Sequence, residues 1–220
     1  MRVWTILLSC LAVSAENLAM TSSGTAVFTS EGRLFVATRD GEPVQAPGEV
    51  DNFSDVAVDP ANEALVFALS TDQFVCMFEL DEAAGRLRRG TCVGDGFSVS
   101  PFSGIAANGG TLVISGGTGG LTVYTYDTTI DPEPAVLNLE ESNVIGHPDV
   151  TLVSPILAAL STDFSGGGAR FGTQMATISG GSVSFGADLC GSTCASRIDS
   201  AKAPLNFGFA QAQITASRTR

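Results

Sequence analysis

The chain is poor in the side chains that usually do chemistry or bind polyanions. His147 is its one histidine, so no site with two histidine ligands can form. No Gly-x-Ser-x-Gly elbow occurs, which removes the usual anchor of a serine-nucleophile hydrolase. Ser115–Gly120 is glycine-rich but lacks the lysine and following helix of a phosphate cradle, and reads as a hairpin turn. Lys and Arg total 11 against 23 Asp and Glu, a formal charge of −12, and such a surface repels phosphate backbones and anionic lipid. Nucleic acid is therefore not an expected partner. No apolar run reaches membrane-spanning length, and no window carries a capped stripe of 3.6-residue period. Charged residues make up 15% and apolar ones 44% of the chain, the reverse of what disorder requires. With 25 glycines, a compact β protein with many tight turns remains.

What is present is a repeat. Phe53–Pro60 (FSDVAVDP), Pro101–Asn108 (PFSGIAAN) and Val153–Leu160 (VSPILAAL) are near-copies about fifty residues apart, with a weaker fourth at Asn206–Gln213. After the first two, a turn leads to a second apolar run (Ala64–Ser70; Thr111–Ser115) and then a third (Gln73–Asp81; Leu121–Asp127). A repeat of about 40–50 residues holding four short strands is a β-propeller blade, which must stack on its neighbours to bury its faces. The fold class is all-β: a propeller of four-stranded antiparallel blades, about four of them visible. This is either a small ring or part of a six- to seven-bladed one. In the ring, Phe207–Thr215 supplies the inner strand of the first blade. Asp40-Gly41 marks a hairpin, and Pro43 and Pro47 flank a short outer strand.

Five cysteines are present. Gln73–Asp81 and Arg86–Gly94 read as hairpin arms, and centring them on Ala84 sets Glu79 opposite Arg89 and Cys76 opposite Cys92. Opposed residues are close enough to bridge. Cys190 and Cys194 can close a small loop on a Gly-Ser turn. The alternative is two buried free thiols and an exposed pair. Asn52-Phe53-Ser54 is the only glycosylation sequon.

The N-terminus has two readings. Met1-Arg2, the apolar Val3–Val13 and the small residues Val13-Ser14-Ala15 have the layout of a secretory signal, giving a signal peptide over 1–15 and a propeller domain over 16–220. Cleavage there removes Cys10 and leaves an even number of cysteines. In the other reading Ser9–Ala15 is a blade strand of a cytoplasmic protein, with Asn17–Ser22, Thr25–Thr29 and Arg33–Thr38 completing that blade.

Gly104–Asp127, with its Gly119-Gly120-Leu121 turn and closing Asp127, resembles the LVIVD-type repeat of extracellular propellers. Ser54–Asp72, where a strand ends in Asp59-Pro60, is similar to lactonase-like and YVTN-type repeats. The second resemblance implies a channel of His, Glu and Arg side chains. The one histidine, in Gly146-His147-Pro148-Asp149, could act as base or ligand with Asp149 orienting it, but a Gly-Pro loop is ordinarily an exposed turn. No catalytic residue is therefore assigned. Asp51, Asp55, Asp59, Asp72, Asp81, Asp95, Asp127, Asp131 and Asp149 sit at strand ends and turns. Calcium is the one metal such groups would suit, and no other cofactor is expected. The reading carried forward is a secreted or surface-exposed propeller that binds a protein partner through loops at one ring face, with Phe97, Phe102 and Arg170 as candidate anchors. A lactonase-like hydrolase is the first alternative, and an intracellular WD-type scaffold the second.

Overall fold

Short apolar runs broken by Gly, Pro, Asn and Asp fold here as four successive meanders. The computed structural model describes residues 17–48, 51–94, 104–115, 121–128, 135–138, 150–163, 171–179 and 182–188, and none of these is helical. The first sheet is β1 (Asn17–Met20), β2 (Ala26–Ser30), β3 (Arg33–Ala37) and β4 (Val44–Gln45). The second is β5 (Phe53–Val58), β6 (Leu65–Ser70), β7 (Phe74–Asp81) and β8 (Arg86–Val93). The third is β9 (Gly104–Asn108), β10 (Thr111–Ser115), β11 (Leu121–Thr125) and β12 (Ala135–Asn138). The fourth is β13 (Val150–Ser154), β14 (Leu157–Asp163), β15 (Phe171–Ser179) and β16 (Ser182–Asp188). Every neighbouring pair is antiparallel.

The first strands line up in order: β1 lies against β5, β5 against β9 and β9 against β13. One apolar core fills each gap between consecutive sheets. This explains why β6 and β10 are apolar almost throughout. Successive side chains point to opposite faces, and both faces of a middle sheet are covered. Leu65, Phe67 and Leu69 of β6 enter the core shared with the third sheet, whereas Val66 and Ala68 enter the core shared with the first. Leu112 and Ile114 of β10 face the second sheet, and Val113 faces the fourth. Among the described residues the substantial contacts between sheets run only between consecutive ones. The sheets are thus radial blades of a propeller.

Three expectations shift. First, Cys76 faces Cys92 as expected, but Glu79 faces Arg88, and Arg89 lies opposite Phe78. A bulge between Cys76 and Phe78 adds one residue to β8. Gly90 sits there because a Cβ would come within 3.0 Å of Met77 Cε and 3.2 Å of the Met77 carbonyl oxygen. The charge pair that forms is Arg88–Glu79 at 3.0 Å, an exposed contact contributing less than about 1 kcal/mol. Second, Val153–Leu160 is not a first strand. It spans the β13–β14 hairpin, because Pro155 has no N–H to continue a ladder and the chain turns at Pro155-Ile156. The fourth blade accordingly begins at Val150. Third, the first sheet takes its four strands from residues 17–45. Its position beside β2 belongs to Asn17–Met20, in place of either Ser9–Ala15 or Phe207–Thr215. Those two segments, like residues 1–15 as a whole, lie outside the described residues.

Candidate binding face

Polar side chains tie each blade to the next where the first strands meet. The Asn17 amide donates to the Ser54 carbonyl. Asp55 accepts from the Ile105 N–H at 2.9 Å, and the Asn108 amide donates to the Leu152 carbonyl at 3.3 Å. The strongest tie is Asp59, which is 0% exposed. Its Oδ1 accepts from the N–H groups of Ala61 (2.8 Å) and Gly109 (2.9 Å), and its Oδ2 from the Tyr126 hydroxyl at 2.8 Å. A carboxylate buried without such donors would be prohibitively costly, so the donors explain its position.

Burial, together with the bond to Asp59 and its charge, pushes the Tyr126 hydroxyl well above the usual tyrosine range. A folded-state value above the unfolded one means that the native state holds the proton more tightly. The contribution is complete below the unfolded pKa of about 10 and is lost as pH rises beyond it. Chemical denaturation across alkaline pH should therefore show stability falling above about pH 10, with a shallower fall in Tyr126→Phe. Identical slopes in the two proteins would remove Tyr126 from this account.

The same ties gather the turns at one end of the blades. The Ser22 N–H and hydroxyl both donate to Glu63, each at 2.8 Å, and the Ser23 hydroxyl donates to Glu82 at 2.6 Å. Hydroxyls of Ser23 and Thr21 hold the Glu82 carboxyl below the usual range despite the small opposing effect of burial. The Asn62 amide donates to the Thr128 carbonyl at 2.6 Å. Gly109, at φ 51°, is packed so closely that a Cβ would lie 2.9 Å from Pro155 Cγ and 3.8 Å from Ala61 Cβ. The turns after β1, β5 and β9 thus form one hydrogen-bonded rim, and the turn after β13 meets it through the packing of Pro155 on Gly109. Pro60 and Ala61 are exposed there, and Ile156 stands 63% exposed beside Pro155. Asp40 and Glu42, exposed at the β3–β4 turn, belong to the same end. Glu63 and Glu82 lie at this end on the second blade, and Ile156 stands out at the same end of the fourth.

Of the expected site residues, Cys76 and Cys92 are joined in a disulfide with Cα atoms 4.0 Å apart. Asn52 is exposed in the left-handed region at φ 51°, and its amide donates to Asp72 at 2.7 Å. Asp51 accepts from Arg89 at 2.7 Å, and Asp81 pairs with Arg86 at 3.5 Å. The acids are dispersed among separate partners, and the described residues hold no group of three or more His, Cys, Asp or Glu able to take a metal. His147, Asp149, Cys190, Cys194, Phe97, Phe102 and Arg170 lie outside the described residues. Between the second and third sheets is a void of about 20 Å³, lined mainly by Phe67, Val75, Met77, Val93, Leu112 and Tyr126. It has room for one water and none for an organic substrate. Nothing local in the sequence marks the Tyr126, Asn62 and Glu82 ties, whose partners lie in neighbouring blades. Asp59-Pro60 was a visible signal, but only of a turn.

Neither protein-family models nor curated protein sequences match the chain. Among solved structures it is similar to a protein from Lactobacillus plantarum, with a TM-score of 0.52 at 10% identity over 80% of this chain and 55% of that one. A chain of the mitotic checkpoint complex matches with a TM-score of 0.52 at 11% identity, over 82% and 58%. A putative TolB from Agrobacterium tumefaciens matches with a TM-score of 0.49 at 16% identity, over 83% and 65%. Such identities speak to fold alone, and the fold is the propeller. The chain spans little more than half the length of the first two.

Proposed function

We propose that this is a secreted or surface-exposed propeller module that binds a protein through the rim of turns carrying Ile156. The observation that carries the reading is that rim: hydrogen bonds join the turns of the first three blades, Pro155 packs on Gly109 beside them, and the large apolar side chain of Ile156 projects there, 63% exposed. Pre-ordering lowers the entropy lost on binding, and an apolar knob within a polar surround is the form of an interface anchor. With a formal charge of −12, the partner should offer an apolar socket within a basic border. The secretory layout of residues 1–15, the LVIVD-type likeness of Gly104–Asp127 and the Cys76–Cys92 bridge support an oxidising, extracellular setting. A lactonase-like reading requires polar groups converging on a substrate-sized cavity. Asp51, Asp55, Asp59, Asp72, Asp81, Glu63, Glu79 and Glu82 are instead bonded to backbone amides, to side-chain hydroxyls, to Asn52 or to arginines.

The test places a photo-crosslinking residue at Ile156 and, separately, at Gln73, which is exposed on the β6–β7 turn at the other end of the blades. A partner from the extracellular fluid should crosslink from position 156 and not from 73. Ile156→Glu should weaken its binding by about tenfold or more, with the unfolding midpoint unchanged. Equal crosslinking from both positions would sink the reading. So would lactone hydrolysis by the purified protein that His147→Ala abolishes.

A further inference from the structure

The bulge in β8 has a chemical consequence, because it turns Arg89 onto the disulfide. Arg89 Nη2 donates to Cys92 Sγ at 3.1 Å and to Cys76 Sγ at 3.3 Å, while Nη1 is anchored on Asp51 Oδ2 at 2.7 Å. The Arg89 and Asp51 side chains are only 31% and 17% exposed, so water screens this contact incompletely. A guanidinium gains little from a neutral disulfide. Its charge acts fully once a sulfur becomes a thiolate, which neighbouring Arg stabilises. The two sulfurs are also unequal: Cys76 is fully buried, whereas Cys92 is exposed on the outermost strand of the second blade.

We infer that Cys92 is a thiol-exchange site, open to covalent modification by a low-molecular-weight thiol. The incoming thiolate, its proton lost to solvent, attacks Cys92 Sγ and forms a new S–S bond there. The Cys76–Cys92 bond breaks, and its electron pair leaves on Cys76 Sγ as a thiolate held by Arg89. One disulfide replaces another, so no external oxidant or reductant is consumed. Access favours attack on Cys92; the Cys76 thiolate that departs is buried, and Arg89, which donates to both sulfurs, is the group that offsets the cost of that burial. The reverse step, Cys76 thiolate attacking the adduct, restores the bridge.

The test uses the full chain carrying Cys10→Ser, Cys190→Ser and Cys194→Ser, treated with reduced glutathione, quenched in acid, alkylated and mapped by mass spectrometry. The expected product has glutathione on Cys92 and an alkylated Cys76. Arg89→Leu should slow its formation by about tenfold, whereas Arg89→Lys should stay within about threefold of the parent. Asp51→Asn, which frees the guanidinium but leaves both sulfurs and Arg89 intact, should fall between them. If Arg89 merely braced the strand, its loss would loosen the edge and speed exchange instead. Unchanged or faster exchange in Arg89→Leu overturns the inference. So does glutathione on Cys76, no adduct at all, or exchange no faster than global unfolding measured in the same buffer.

Discussion

Asp59→Ala should lower the unfolding free energy by about 3–5 kcal/mol, because it strands donors that water cannot reach. Asp59 is 0% and Tyr126 6% exposed, and the Gly109 N–H points into the same seam. Each unsatisfied buried group costs about 1–3 kcal/mol, and the Ala61 N–H, on an exposed residue, recovers part of its loss from water. Asp59→Asn is the control. Its oxygen still serves Ala61 and Gly109 while its NH₂ donates to the Tyr126 oxygen, so about 1–2 kcal/mol should be lost. Urea denaturation checks both variants, with the slope unchanged if each acts on the native state. Equal losses, or none in Asp59→Ala, would mean that the carboxylate does not latch the blades. Hydrogen exchange at Gly109 should rise in Asp59→Ala before it rises in β10, because the seam opens before the sheet.

Removing the Cys76–Cys92 bridge should cost about 3 kcal/mol, the chain-entropy value for a loop of this size. The bridged residues are 16 apart in sequence. Cys76→Ala with Cys92→Ser should match the reduced wild-type protein in denaturant midpoint, since a small apolar side chain suits the buried position of Cys76. β8 is the last strand of its sheet, so faster hydrogen exchange should concentrate over Thr91–Val93. Loss of protection throughout β6 and β7 instead would show that the bridge supports the whole blade.

The two predictions differ in how far sequence could have led to them. The bridge agrees with a hairpin centred on Ala84, but the turn itself sets a register one residue off, with Asp81 opposite Arg86 and Glu79 opposite Arg88. Only the bulge beyond Phe78 brings Cys76 back to Cys92. The bulge answers to the packing of Met77 against Gly90, which alternation does not encode. Asp59 was legible only as a turn acid. That role is real, since it accepts from Ala61, but its other partners lie 50 and 67 residues away in the next blade. VSPILAAL repeats the composition of a first strand, yet Pro155 makes it a hairpin; composition alone did not locate the turn within it. Of the candidate binding face, the acidic balance could be read in advance. The exposure of Ile156 could not, because it depends on what packs around Pro155.

By itself, then, the sequence determined where most strands begin and end, that they come in fours, and that each blade needs neighbours. These follow from local turn chemistry and from two-sided apolar runs, which act over a few residues. Only the tertiary structure decided which acid becomes a latch, which arginine reaches the disulfide and which side chain stands out from the rim. Those outcomes depend on distances between blades, where a register change of one residue moves a side chain to the opposite face of its sheet.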